Sequence, residues 1–291
     1  MLVTTAQAVQ YRDQYEGTRV RTCPSVRVIT LQSAAQAVTI KPSAVNAAHY
    51  QRSIEEARGQ DWLGAPDVHV ARQRTLEGWP EGWDRMRENL STLAIPVLPK
   101  RRRTRFSDDG PDLNLDRYLD GADLCWNVRK RVPIPTVDIT VDIGGNAHLE
   151  SEALVWRGAA CVAMSDALER AGYRVRLTAV DFGLRRWVGQ DEDKGCITRV
   201  VLKQFNEPLR PGHLAGAICT ATLFRVGFFS AWLAQPEETN YALGTNRMLA
   251  DARFTAPLHF GYKVQDARTA QAVLTKLANT NLDRVHRTVH A

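Results

Sequence analysis

Between residues 136 and 180 apolar and polar positions follow one another in a regular order. Val137, Ile139, Val141 and Ile143 alternate with Asp138, Thr140 and Asp142, the period of a strand with one apolar face. Gly144, Gly145 and Asn146 end that run. From about residue 152 to 171 the period lengthens. Leu154, Val155, Ala159, Val162, Ala163, Ala167 and Leu168 recur at helical spacing, and Ser151 stands where it can cap the first turn. Gly172 follows, where a helix C-terminus takes a positive φ. Residues 173–180 alternate again. Strand, helix and strand in this order predict a βαβ unit with two parallel strands.

Weaker patterns complete the reading. Residues 25–31 predict a strand, because Val26, Val28, Ile29 and Thr30 are β-branched. Residues 44–58 predict a helix. Residues 71–77 end one helix, and Pro80 begins another that runs to Leu93. Trp79 and Trp83 fall near one face and suit a helix–helix junction. Residues 197–203 predict a third strand, 213–232 a mostly apolar helix, 258–264 a last strand and 269–277 a final helix. Residues 279–291 are expected to fray. The fold class expected is α/β: a Rossmann-like, mainly parallel sheet flanked by helices over 136–291, with a smaller mixed α/β part over 1–95. Residues 96–135 hold Pro96, Pro99, Pro133 and Pro135 between the two parts and read as a basic linker and lead-in.

Composition narrows the class. The chain has 291 residues, 44% hydrophobic and 24% charged. That excludes a disordered chain, a collagen-like fibre and a simple coiled coil, and provides for a sizeable core. No apolar run approaches the ~18 residues of a membrane span, and the start of the chain shows no secretory signal pattern. The expected compartment is the cytoplasm, with no membrane partner. Cys23, Cys125, Cys161, Cys196 and Cys219 form no C-x-x-C pair and read as reduced thiols rather than a disulfide scaffold.

Charge changes the picture through its distribution. There are 38 Lys+Arg against 32 Asp+Glu, a mild excess of +6. Lys100, Arg101, Arg102, Arg103 and Arg105 are concentrated in one run, and Arg129, Lys130 and Arg131 in a second. Such runs neutralise phosphates and are candidate nucleic-acid contacts. The alternative is a solvated basic linker, since Phe106 is the one aromatic nearby for base stacking.

In a βαβ unit the ligand site lies beyond the C-terminal end of the first strand. Here that place holds Asp142, Gly144, Gly145, Asn146 and His148. Neither a dinucleotide glycine pattern nor a P-loop is present. Asp142 suits either a divalent cation or the N–H groups of its own loop. Asp138, Asp142, Glu150, Glu152 and Asp181 allow a metal-dependent hydrolase. Asp138 and Asp142, however, lie about 13 Å apart along one strand and cannot share an ion without a bend.

Asp142, Asp166-Ala-Leu168 and Ala171-Gly-Tyr-Arg-Val175 carry a resemblance. Residues 137–181 resemble the opening of a von Willebrand factor A (VWA) domain, and in particular the VWA proteins associated with bacterial AAA ATPases. The resemblance implies a strand-end Mg²⁺ motif, D-x-S-x-S. Asp142 matches its first position, while Gly144 and Asn146 replace the two serines. The implied metal set is a degenerate Asp142 and Asn146, with Gly144, Gly145 and His148 as partner-binding positions. No cofactor is expected on the isolated chain. A second resemblance rests on Glu77-Gly-Trp-Pro-Glu-Gly-Trp83 and on residues 201–209 ahead of 223–228. It is to an uncharacterised family met mainly in bacteriophages. Together they imply a phage-encoded, non-enzymatic interaction or assembly module in the host cytoplasm or the virion. Its partner would be an AAA ATPase or a phage structural protein. Nucleic-acid binding through residues 100–105 and 129–131 is the alternative, and metal-dependent hydrolysis a third.

Overall fold

The computed structural model describes residues 1–12, 19–56, 60–98, 104–129, 134–145, 151–185, 194–237, 245–261 and 263–279. The strands are β1 (Leu2–Arg12), β2 (Val20–Leu31), β3 (Thr104–Ser107), β4 (Asp112–Leu113), β5 (Trp126–Arg129), β6 (Thr136–Asp142), β7 (Arg174–Arg185), β8 (Lys194–Lys203), β9 (Thr245–Leu249) and β10 (Leu258–Phe260). The α-helices are α1 (Ala34–Thr39), α2 (Ala47–Tyr50), α3 (Gln60–Leu63), α4 (Val68–Glu77), α5 (Pro80–Thr92), α6 (Leu115–Leu119), α7 (Ser151–Arg170), α8 (Pro211–Ile218), α9 (Phe229–Leu233) and α10 (Ala267–Ala278).

The βαβ unit forms as its periodicity dictates. β6 and β7 pair in parallel from Thr136↔Arg174 to Asp142↔Val180. Val137, Ile139 and Val141 pack beneath α7 against Val155, Ala159, Val162 and Leu168. Gly172 ends α7 with φ 94°, and the N–H of Tyr173 reaches back to the carbonyl of Leu168 at 3.0 Å. Parallel β10 extends the sheet beyond β6.

The rest of the sheet corrects the Rossmann-like, mainly parallel expectation. β7 runs on past Val180 to Arg185 and returns as β8, its antiparallel neighbour. Only positions 186–193 separate them, whereas a parallel neighbour needs a crossover of roughly a dozen residues or more. β8 then pairs in parallel with β2, β2 antiparallel with β1, and β9 antiparallel with both β1 and β7. The ring β7-β8-β2-β1-β9 is thus a closed, mostly antiparallel barrel, from which β6 and β10 project. β7 is buried on both faces from Leu177 to Gly183. Its odd-numbered Val175, Leu177 and Ala179 face the helices. Even-numbered Phe182 joins Val9, Tyr11, Cys23, Val26, Val28, Ile197 and Leu249 in a second core inside the ring. A second core enclosed by strands requires the sheet to close on itself. The β1–β2 ladder skips from Gln7↔Ser25 to Val9↔Cys23. Pro24 has no N–H to give there, and Ala8 takes φ 51°.

The helical layer shows a second correction. The expected helix over 213–232 divides into α8, a π-helical turn (Leu223–Phe228) and α9, bent by 63°. The Thr220 hydroxyl donates to the Gly216 carbonyl at 3.3 Å and accepts from the Thr222 N–H at 3.2 Å. These side-chain bonds compete with the helical ladder. The Thr222 hydroxyl then ties the break to the Leu63 carbonyl at 3.0 Å. Residues 44–55 are helical throughout, as a 3₁₀ turn (Ala44–Asn46), α2 and a π-helical turn (Gln51–Glu55), whereas the strand expected over 258–264 covers only β10. Pro80 starts α5, as the pattern predicts. Trp79 is buried, with the Arg74 guanidinium 4.7 Å from its ring centroid. No single helix among the described residues is long and apolar enough to cross a membrane.

Candidate functional site

The strand-end loop is built inward. Asp142 is buried, and its Oδ1 accepts the Gly144 N–H at 2.9 Å. The fully buried Arg157 of α7 donates to the Asp142 carbonyl at 2.5 Å. Burial pushes the Asp142 carboxyl up to about 6, partly opposed by the Arg157 charge and the Gly144 N–H. Gly144 and Gly145 are buried too; Asn146, His148 and Glu150 lie outside the described residues. The carboxylates of the hydrolase reading are dispersed. Asp138 pairs with Arg176 at 2.5 Å, Glu152 with Arg85 at 2.8 Å, and Asp181 is buried. Among the described residues no three His, Cys, Asp or Glu side chains come together as a metal site. The five cysteines are buried, and none forms a disulfide.

Arg105 and Arg129, one from each basic run, are brought into one sheet. β5 is the centre of a separate three-stranded antiparallel sheet, in the order β3-β5-β4. Its register pairs Thr104 with Arg129 and Arg105 with Val128. The chain enters β3 directly after Lys100, Arg101, Arg102 and Arg103, and leaves β5 directly into Lys130 and Arg131; those six lie outside the described residues. Strand pairing therefore sets the backbones of Arg105 and Arg129, distant in sequence, near one end of one sheet. Phe106 pairs with Asn127 in the same register.

α6 is fastened to the same sheet. The Asn114 side chain caps it by accepting the Arg117 N–H at 3.0 Å. Arg117 donates through Nε to the Leu124 carbonyl at 2.9 Å, and its guanidinium lies 4.1 Å from the Phe106 ring centroid. Phe106 and Tyr118 remain 37% and 59% exposed, enough to offer ring surface to a partner. Tyr118 escapes a reading that looks for aromatics inside the basic runs. The available signal was its place beside Arg117, in a short helix a few residues after Phe106.

The fold and this surface define a mixed α/β protein with a closed five-stranded barrel and an attached basic sheet. Residues 22–281 match the family described as a domain of unknown function, DUF7192, and the chain belongs to that family. No curated protein and no solved structure matches the chain.

Proposed function

We propose that the protein binds nucleic acid through the β3-β5-β4 sheet. The Thr104↔Arg129 pairing carries this reading, because it sets Arg105 and Arg129, the inner ends of the two basic runs, near one end of one sheet. Lysines and arginines grip the phosphates, releasing counterions as they do so. Phe106 and Tyr118 offer rings for unpaired bases, and Arg117 adds a cation beside the first of them. Single strands are the favoured substrate, since stacking needs bases out of a duplex.

The test is fluorescence anisotropy of labelled single-stranded and duplex oligonucleotides at rising salt. For single strands the log–log salt slope is about −0.7 per phosphate contact. Replacing Arg105 and Arg129 by Gln should reduce that slope by one to two contacts. Phe106→Ala or Tyr118→Ala should cost about 1–3 kcal/mol on single strands and little on duplex. Affinity that ignores salt, or survives loss of both arginines unchanged, would overturn the reading.

A further inference from the structure

On the face of β6, β7 and β8 opposite α7 lies a cavity of about 450 Å³. Its floor is Asp138 and Thr140 from β6, Arg176 and Thr178 from β7, and Arg199 from β8. The loop between β9 and β10 forms the wall with residues 252–257, among them Arg253, Phe254, Thr255 and Pro257. Three guanidiniums thus line one small space with a single lining carboxylate. Two are compensated. Arg176 pairs with Asp138 at 2.5 Å, and Arg253 with Asp251 at 2.7 Å, the latter also donating to the Gln7 carbonyl at 3.0 Å.

Arg199 is different. Its Nε is buried without an acceptor among the described residues. Burial and the neighbouring Arg176 charge both oppose its charged form, and Asp138 only partly offsets them. A guanidinium presents a planar fork that fits an oxyanion in two-point fashion. Thr140 is already engaged, accepting the Ala256 N–H at 3.0 Å and facing His259 Nδ1 at 2.9 Å. Thr178 lines the same floor and its hydroxyl has no such bond among the described residues. Opposite these polar groups the wall offers Ala252, Phe254, Ala256 and Pro257 alongside Arg253 and Thr255, and the volume falls in the roughly 300–1,000 Å³ range of small-ligand sites.

We propose that this cavity binds a small phosphate ester of nucleotide size, its phosphoryl oxygens on Arg199 and Thr178 and its flat body against Phe254 and Pro257. The site is separate from the β3-β5-β4 surface and does not depend on it. Calorimetry on the full chain decides the matter, using a nucleoside monophosphate, inorganic phosphate, the unphosphorylated nucleoside and a short single-stranded DNA as titrants. The monophosphate should give saturable binding, inorganic phosphate should compete more weakly, and the nucleoside should give none. Arg199→Gln should weaken the monophosphate about tenfold or more, whereas Arg105→Gln with Arg129→Gln should leave it intact. If Arg199→Gln does not fold, Arg199→Lys, which keeps the charge and loses the fork, should still bind more weakly than the parent. Wild-type protein that binds neither phosphate nor monophosphate at millimolar concentration would overturn the proposal. So would Arg199 variants that bind as wild type does, or binding abolished by the Arg105/Arg129 pair. Loss of DNA binding alone in Arg199→Gln would also overturn it, by making the cavity a seat for polymer phosphates.

Discussion

The two faces of β6 and β7 are made from interleaved residues and obey opposite rules. Beneath α7, Val137, Ile139 and Val141 meet Val175, Leu177 and Ala179 in a continuous apolar layer. One position along, the same strands present Asp138 beside Arg176 and Thr140 beside Thr178. The first face stabilises by removing area from water and tolerates little change of volume. The second spends stability to hold charges at fixed positions, and it tolerates changes of shape more readily than changes of charge. The barrel interior resembles the first face on a smaller scale, with Phe182 at its centre.

Core truncation should give the largest effects on that contrast. Trp232 is 1% exposed, and its Nε1 donates to the Thr198 hydroxyl at 2.6 Å. Trp232→Ala should cost about 3–5 kcal/mol, and it also leaves Thr198 unpaired. Phe182→Ala should approach the lower end of the same range, because fewer residues surround it. Denaturant unfolding monitored by far-ultraviolet circular dichroism checks both. Next comes Gly216, where an added Cβ would stand 2.0 Å from the Arg74 carbonyl oxygen. Gly216→Ala must push α4 from α8 and should cost about 1–3 kcal/mol or somewhat more.

The polar side should reveal itself through pH. Burial holds the Asp142 carboxyl up at about 6 against an ordinary 3.8, and pulls the His259 imidazole down to about 4 from 6.5, aided by the Arg157 charge. The Asp142 contribution is present below pH 3.8 and is lost as pH rises through 6. The His259 contribution is present above pH 6.5 and is lost as pH falls towards 4. Each is worth up to about 3 kcal/mol, and they act in opposite directions over one window. Wild-type stability should therefore be nearly flat between pH 4 and 6.5. Asp142→Asn should expose a rise with pH there, and His259→Gln a fall. Two parallel, flat profiles for the variants would refute the assignment.

The smallest expected effect is at Ala8. A residue with a side chain at φ 51° is strained by roughly 1–2 kcal/mol, partly recovered because Gly costs more backbone entropy. Ala8→Gly should stabilise by about 0.5 kcal/mol, visible as a small rise in melting temperature.

What could be read from the sequence follows the same division. The βαβ unit was legible because one face of each strand is apolar, the helix has one period, and Gly172 marks its end. The barrel was not. Past Val180 the apolar positions of β7 change from odd to even, and β1 buries only Val9 and Tyr11 of its length. With so few apolar positions, β1 carries no alternation to detect. The approach of Arg105 to Arg129 depends on the β3–β5 register, which spacing alone does not supply. The arginine cavity left a fainter trace. Asp138-Ile-Thr140 and Arg176-Leu-Thr178 are matching triplets, and parallel pairing sets them side by side. Arg199 and Arg253 reach that place only through the antiparallel return of β8 and the loop after β9.

β7 divides one of its edges between two neighbours: β6 along residues 174–180 and β9 along residues 182–184. The two halves of a single strand therefore belong to different cooperative units. The three register pairs to β9, with two more from β9 to β1, are the slenderest junction in the ring. Opening there would part the barrel while the layer beneath α7 stays whole. Amide protons of β7 should accordingly exchange on two schedules, those paired to β6 only through global unfolding and those paired to β9 through a cheaper, partial opening. The seam is where the molecule would first admit water, and the cavity wall between β9 and β10 hangs directly from it.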